Sequence, residues 1–349
     1  MPNNRIFYPI QAVGIGKSPT PTGSIVSESS GFRWMKGVQT AGMSVTFNNE
    51  EVMQLGQLEV YQDIEDTPDV EVNIEKVIDG HHLLYLQAVG NAGTGNIIQA
   101  LDKKSDVYFV IYPDTNTASS GNTIESLIYC SGMYAASYGL NFSVDGNATE
   151  TLGLIGSNKQ EYTIDQLTDM SLNTGFAPMG HTPHSPNVNV GRRQHVQTAA
   201  STIPASVQKA IRGGSGNIQS ISMSVDFGRE NLYELGRFGP YYRSSTAPIS
   251  VTCDFEVISI SGDRVNVSET TTNLVPESIK IFVDTNGANG GEGQMTVDLG
   301  TRNKLTSVQY GGGDAGGGNS SVTYSYRNLN YMLINDSNAV AGGASGYWI

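Results

Sequence analysis

The chain has 349 residues with 20 basic and 33 acidic side chains, a formal net charge of −13, which argues against a nucleic-acid or membrane-surface binder of the usual basic kind. Two cysteines, Cys130 and Cys253, are too few and too far apart for a disulfide framework or a Cys-based zinc site. Charged residues are only 15%, glycine numbers 41, and short Val, Ile, Tyr and Phe runs are separated by small polar residues, so the texture predicts a β-dominated chain with one or two short helices.

In chain order, Met1 to Tyr8 runs into Pro9 with no apolar stretch behind it, so no export signal is expected, and no run approaches the roughly 20 apolar residues of a membrane helix. GIGKS (14–18) ends like a phosphate-binding loop but has Gln11 where the motif needs Gly, and Pro19 and Pro21 bar the helix that would hold phosphate. Segment 17–37 reads as an arm. Residues 38–47, VQTAGMSVTF, predict a strand, and Val70, Val72 and Ile74 alternating with Glu71, Asn73 and Glu75 predict another with one apolar and one polar face. A short helix over 81–89, a buried strand over 106–114 and a hairpin over 137–156 turning at Asp145-Gly146 follow.

Residues 171–208 hold Pro178, Pro183, Pro186 and Pro204 without periodicity and read as a linker or arm that neighbouring molecules order. The expected organisation is therefore a first β-domain over 1–170 and a second over 209–349. Beyond the linker, IQSISMSVDF (218–227) repeats the text of 38–47 at an offset of 180 residues (218 − 38). Over 43–68 nine positions are identical to their counterparts, where about one or two are expected by chance. Ser250, Thr252, Asp254 and Glu256 then alternate with Ile249, Val251, Cys253 and Phe255, and the pattern places Val70 against Ile249, an offset of 179. Two further strands, 304–310 and 320–328, flank the glycine-rich GGGDAGGG (311–318), which lacks the Lys and helix of a nucleotide cradle.

The runs 37–80 and 221–257 and the hairpin FSVDGNATETLGLIG (142–156) resemble phage tail tube proteins. That resemblance implies two tandem β-sandwich or barrel domains that add strands to a ring-shaped barrel. It implies self-association into stacked rings, three chains making a pseudo-hexameric ring, with tape measure, sheath or terminator proteins as further partners and a place in the virion tail after assembly in host cytoplasm. DNA would pass through without specific binding, along a wall to which Glu71, Asn73, Glu75, Ser250, Thr252, Asp254 and Glu256 are the candidate contributors. Rival readings are a baseplate or tail-completion ring and, in another class, a β-rich carbohydrate-binding module or hydrolase.

No catalytic set, cofactor or metal is expected. His181, His184 and His195 lack a nearby carboxylate partner, His81-His82 stands at a helix entry, and the two cysteines read as inert core thiols. The carboxylates Glu59, Asp63, Glu65, Asp66, Asp69, Glu71, Glu75 and Asp79 form a run more typical of a solvated surface than of a catalytic pair.

Overall fold

The computed structural model of the chain describes residues 6, 11–18, 32–79, 83–89, 94–96, 101–113, 124–169, 190–211, 217–260, 262–269, 274–284, 294–312 and 318–336. Period-two patterning builds the central element, one antiparallel sheet of eight strands. Their spatial order is β18 (Lys304–Gly311), β19 (Ser321–Leu329), β15 (Ser250–Ile258), β12 (Ile218–Asp226), β9 (Ser126–Ser143), β10 (Thr149–Gly156), β6 (Asp69–Val77) and β3 (Val38–Thr46). The chain is β-dominated, as expected, but among the described residues no sheet closes on itself into a barrel.

The eight strands are two four-stranded units side by side, β3-β6-β10-β9 and β12-β15-β19-β18. Val45 opposite Val70 corresponds to Val225 opposite Val251, Met43 opposite Val72 to Met223 opposite Cys253, and Ala41 opposite Ile74 to Ile221 opposite Phe255. The irregularities match as well. Gln39 and Gln219 are skipped in the two opening strands, and Ala136 and Thr306 in the two closing strands. The ladder corrects the expected offset in the second strand from 179 to 181 (251 − 70), making Ile249 an extra residue of the second unit. Alternation alone could not decide this, because a shift of two residues leaves every side chain on the same face.

The units join where β9 pairs with β12, with Leu140 opposite Met223 and Tyr138 opposite Val225. Their apolar faces share one core. β9 is long enough to leave the sheet: its first half pairs with β8 (Ser105–Ile111) and β11 (Asn158–Thr163), and β1 (Gln11–Lys17) and β2 (Phe32–Trp34) extend this second layer beyond β8. GIGKS accordingly contributes Gly14 to Lys17 to a strand paired with β8. The buried helix α1 (Leu84–Val89) lies beneath the same unit, its first N–H groups donated by Leu84 and Tyr85 to the buried Glu150 carboxylate at 2.8 and 3.2 Å. In the second unit the layer is β16 (Lys280–Asp284), β17 (Gln294–Asp298), β20 (Leu333–Asp336) and, supplied by the first half, β7 (Thr94–Asn96).

Two more short helices, α2 (Ile164–Asp169) and α3 (Ala205–Ala210), bring the α-helices among the described residues to three, one more than the one or two expected. Of the segment read as a linker, residues 171–189 lie outside the described residues. Residues 190–208 are tied down by the chain itself through the bridges Asn147 to Arg192, Val196 to Val283 and Thr202 to Lys280. Most of the leading arm, residues 19–31, also lies outside the described residues.

One pair of equivalent residues differs sharply. Phe227 is 0% exposed and stacks on Tyr85 with ring centroids 5.9 Å apart, whereas its counterpart Phe47 is 76% exposed. Phe227→Ala should destabilise the isolated chain by about 3–5 kcal/mol. Phe47→Ala should change its stability by no more than about 0.5 kcal/mol. Urea unfolding of the two variants checks this, and equal losses would contradict the assigned surroundings.

Candidate assembly site: two open edges and a polar face

An edge strand presents a row of unpaired backbone N–H and C=O groups, which invites another strand unless something blocks it. Among the described residues β3 and β18 each have a strand on one side only, and β3 is exposed or half-buried throughout. These edges are not arbitrary. β3 corresponds to β12 and β18 to β9, so the two open edges are the two sides of the joint that the chain already makes internally.

Each unit also extends a hairpin from its first strand: β4 (Asn49–Met53) with β5 (Val60–Glu65), and β13 (Arg229–Leu232) with β14 (Tyr242–Ser245). Glu51 opposite Asp63 corresponds to Asn231 opposite Arg243. Both tips turn at a glycine in the left-handed region, Gly56 at φ +87° and Gly236 at φ +84°, where a side chain would be strained. Both present large apolar residues to solvent: Leu55 and Leu58 in the first, Leu235 and Phe238 in the second.

The second hairpin is anchored on the first unit. The buried Arg243 guanidinium donates to Asp69 at 2.9 Å, to the Gly156 carbonyl at 3.1 Å and to the Ser157 hydroxyl at 2.6 Å. Arg229 donates to the Ala135 and Leu101 carbonyls at 2.7 and 3.0 Å and lies over the Tyr134 ring, which also meets Tyr242 edge-on. The Thr67 hydroxyl donates to the Phe238 carbonyl at 2.9 Å. Several hydrogen bonds from each guanidinium fix the seat geometrically, although Arg229 Nη2 has no partner among the described residues. The first hairpin carries Asn49 and Asp63 at the positions of Arg229 and Arg243, and β5 is exposed along its whole length.

All seven residues named as wall candidates fall on one face of the eight-stranded sheet. Glu71, Asn73 and Glu75 alternate with buried Val70, Val72 and Ile74, and Ser250, Thr252, Asp254 and Glu256 alternate with buried Val251, Cys253, Phe255 and Val257. Opposite and between them the same face carries Ser44, Thr151, Gly139, Asn141, Ser222, Ser224, Thr323 and Ser325. The units repeat a hydrogen bond here: Thr40 donates to Glu75 at 3.4 Å and Ser220 to Glu256 at 3.2 Å. The face is thus small, polar and mainly acidic, with Arg327 and Lys304 paired at one end.

Other sequence candidates are placed differently. Asp79 is a core group rather than a member of the acidic surface: it is 3% exposed and pairs with buried Lys76 at 2.6 Å. The equivalents of the apposed Lys76 and Glu150 in the second unit are Val257 and Val322. Cys130 and Cys253 are buried, and burial pushes the Cys130 thiol up to about 12 and that of Cys253 well above its ordinary value, opposite to what a nucleophile needs. His195 accepts from the Arg192 N–H at Nδ1 at 3.1 Å, and desolvation lowers its pKa. His181, His184, His81 and His82 lie outside the described residues, and among those described no three His, Cys, Asp or Glu gather as metal ligands. No described helix is long and apolar enough to cross a membrane.

The open edges, Phe47 and the two arginine anchors were missed by residue-by-residue reading. The offset-180 alignment carried a signal for the anchors, since it sets Arg229 against Asn49 and Arg243 against Asp63. No protein-family model and no curated protein matches the chain.

Proposed function

We propose that this chain is a structural subunit of a phage tail tube, which joins copies of itself edge to edge into a ring and stacks the rings into a channel for DNA. The observation that carries the reading is the equivalence between the internal joint and the open edges. A chain that already pairs β9 with β12 offers a second copy the same two surfaces, β18 and β3, and pairing them satisfies edges that are otherwise aggregation-prone. The contact is heterologous, so it propagates in one direction and must close into a ring or run on as a filament.

Transferring the internal register to the joint between copies sets Met43 opposite Tyr310, Val45 opposite Val308 and Thr46 opposite Ser307, with the Phe47 N–H donating to the Thr306 carbonyl as Phe227 donates to Ala136 at 2.9 Å. Three chains of eight strands give a ring of six units. At about 4.8 Å between strands and about 40° of tilt, twenty-four strands enclose a backbone circle about 48 Å across. The mainly acidic and hydroxyl-rich face supports its use as the channel wall, because repulsion opposes phosphate sticking over most of it, its basic side chains being the neighbouring Arg327 and Lys304 on β19 and β18. Exposed Leu55, Leu58, Leu235 and Phe238 at the hairpin tips support stacking, since apolar groups of this size gain by burial against a neighbouring ring.

Two experiments test the proposal. Mixing a Met43→Cys chain with a Tyr310→Cys chain, both also carrying Cys130→Ala, should give disulfide-linked dimers on oxidation, whereas either variant alone should not, because this removes the thiol 3.4 Å from the Met43 sulfur and the remaining Cys253 is buried. Failure of the mixed pair to link under conditions where tubes form would remove this edge contact. For the channel wall, Glu71→Lys with Glu75→Lys should leave assembly intact but slow DNA passage at low salt, with the defect easing as salt rises. Unaltered passage at low salt would take that face out of the lumen.

A further inference from the structure

The internal joint and the joint between copies differ in charge, and the difference identifies a second contact. In the first unit, the seat of the second hairpin is a cleft of 410 Å³ lined by Ser131, Gly132, Tyr134, Ser157 and the hairpin residues Tyr242 and Arg243. The ladder positions carry this seat into the second unit. Gly156 opposite Val70 becomes Asn328 opposite Val251, and Tyr134 opposite Ile155 becomes Lys304 opposite Arg327. Continuing each strand outwards, Gly132 becomes Arg302 and Ser157 becomes Leu329. A cleft of 630 Å³ lies there, lined by Lys280, Thr301, Arg302, Asn328, Leu329 and Asn330 among others. It is the same seat without a hairpin in it.

The charges at the two seats are exchanged. In the filled seat the hairpin brings the cations Arg229, Arg237 and Arg243, and the unit beneath supplies the anion Asp69 together with one cation, Lys104, over the Tyr134 ring. At the empty seat the anion's position is Ser250, while Lys280, Arg302 and, beside the cleft, Lys304 are all exposed. One carboxylate lines this cleft, Asp298, and it accepts from the Gly300 N–H at 2.7 Å. The hairpin still lacking a seat, Asn49–Glu65, carries Glu50, Glu51, Glu59, Asp63 and Glu65 and no Lys or Arg.

We infer that the acidic hairpin Asn49–Glu65 of a second copy docks into the cleft rimmed by Lys280, Arg302 and Lys304, with Asp63 and Glu59 meeting these cations. The inference rests on the edge-to-edge reading above, and adds to it a contact between exposed charges where the internal joint is set by the half-buried Arg229 and the buried Arg243. Its consequences are electrostatic. Attraction between the acidic hairpin and the basic rim steers copies into the heterologous orientation, and two like edges brought together would oppose hairpin to hairpin. Exchanged polarity also means the hairpins are not interchangeable between seats, which keeps the internal joint from being displaced by a neighbour's first hairpin.

The test is charge reversal in the full chain, read by the concentration at which rings or tubes form at low salt. Arg302→Glu with Lys304→Glu should raise that concentration at least about tenfold, and so should Glu59→Lys with Asp63→Lys. Both pairs combined in one chain should restore assembly to within about threefold of the parent. All four side chains are exposed, so thermal unfolding of the unassembled variants should match the parent and separate a docking defect from misfolding. Assembly of the Arg302→Glu, Lys304→Glu chain at the parent's concentration, with the Met43–Tyr310 cross-link still forming, overturns the seat and leaves the edge contact standing. Loss of assembly that the combined reversal does not restore also overturns it, since the rim would then serve some other contact. Absence of the cross-link in the parent background removes the edge contact and the seat together.

Discussion

Backbone hydrogen bonding at the rim of the eight-stranded sheet governs the rest of this molecule. A sheet of this width cannot end without leaving amide and carbonyl groups unpaired, and among the described residues no strand covers the outer side of β3 or β18. The molecule shows what a good partner looks like, because the β9–β12 pairing is such an edge already satisfied. Around that pairing, Met223 and Val225 become 2% exposed and Phe227 fully buried, while the equivalent Met43 and Val45 remain half-buried and Phe47 open. The difference between the two states is the surface that a neighbouring copy would cover.

Repeating a unit within one chain permits its two copies to diverge, and the divergence is concentrated at the joints. The internal joint never has to open, so it tolerates the half-buried Arg229 and the buried Arg243, groups that would be costly to desolvate in every encounter between free molecules. The proposed outer joint would form by diffusion. Exposed carboxylates on one side and exposed Lys and Arg on the other would keep most of their hydration until late and act at a distance set by screening. The core diverges too: the apposed Lys76 and Glu150, with Glu150 accepting from the start of α1, give way in the second unit to Val257 and Val322, and the start of α3 at Ser206 uses Glu277 as its acceptor instead. On the polar face Thr40–Glu75 and Ser220–Glu256 preserve the same bond.

Much of the strand layout was legible because alternation with period two reports directly on burial. It located β6, β15, β19 and the hairpin joining β9 to β10, and it put the seven wall candidates on one face. Three things escaped it. The offset of 181 was invisible because 179 places the same residues on the same face, and only hydrogen-bond partners distinguish them. Residues 190–208 read as an arm because their order comes from isolated bridges to Asn147, Val283 and Lys280, long-range contacts with no local pattern. Which strands end the sheet was also hidden, since β3 and β12 carry nearly the same text while one is an edge and the other is not; edge status belongs to topology and not to composition. The charge exchange between hairpins sat in plain view in the repeat alignment, but acquired meaning only once the seats were located.

The central claim is that the outer joint copies the inner one. A cryo-electron microscopy map of the assembled protein tests it most directly. The account predicts a continuous sheet in which β18 of one copy lies antiparallel to β3 of the next, Met43 facing Tyr310, in a ring of three chains with near six-fold repetition of its four-stranded units. A ring in which β3 and β18 stay unpaired, or a closed dimer in which β3 meets β3 across a two-fold axis, would contradict it.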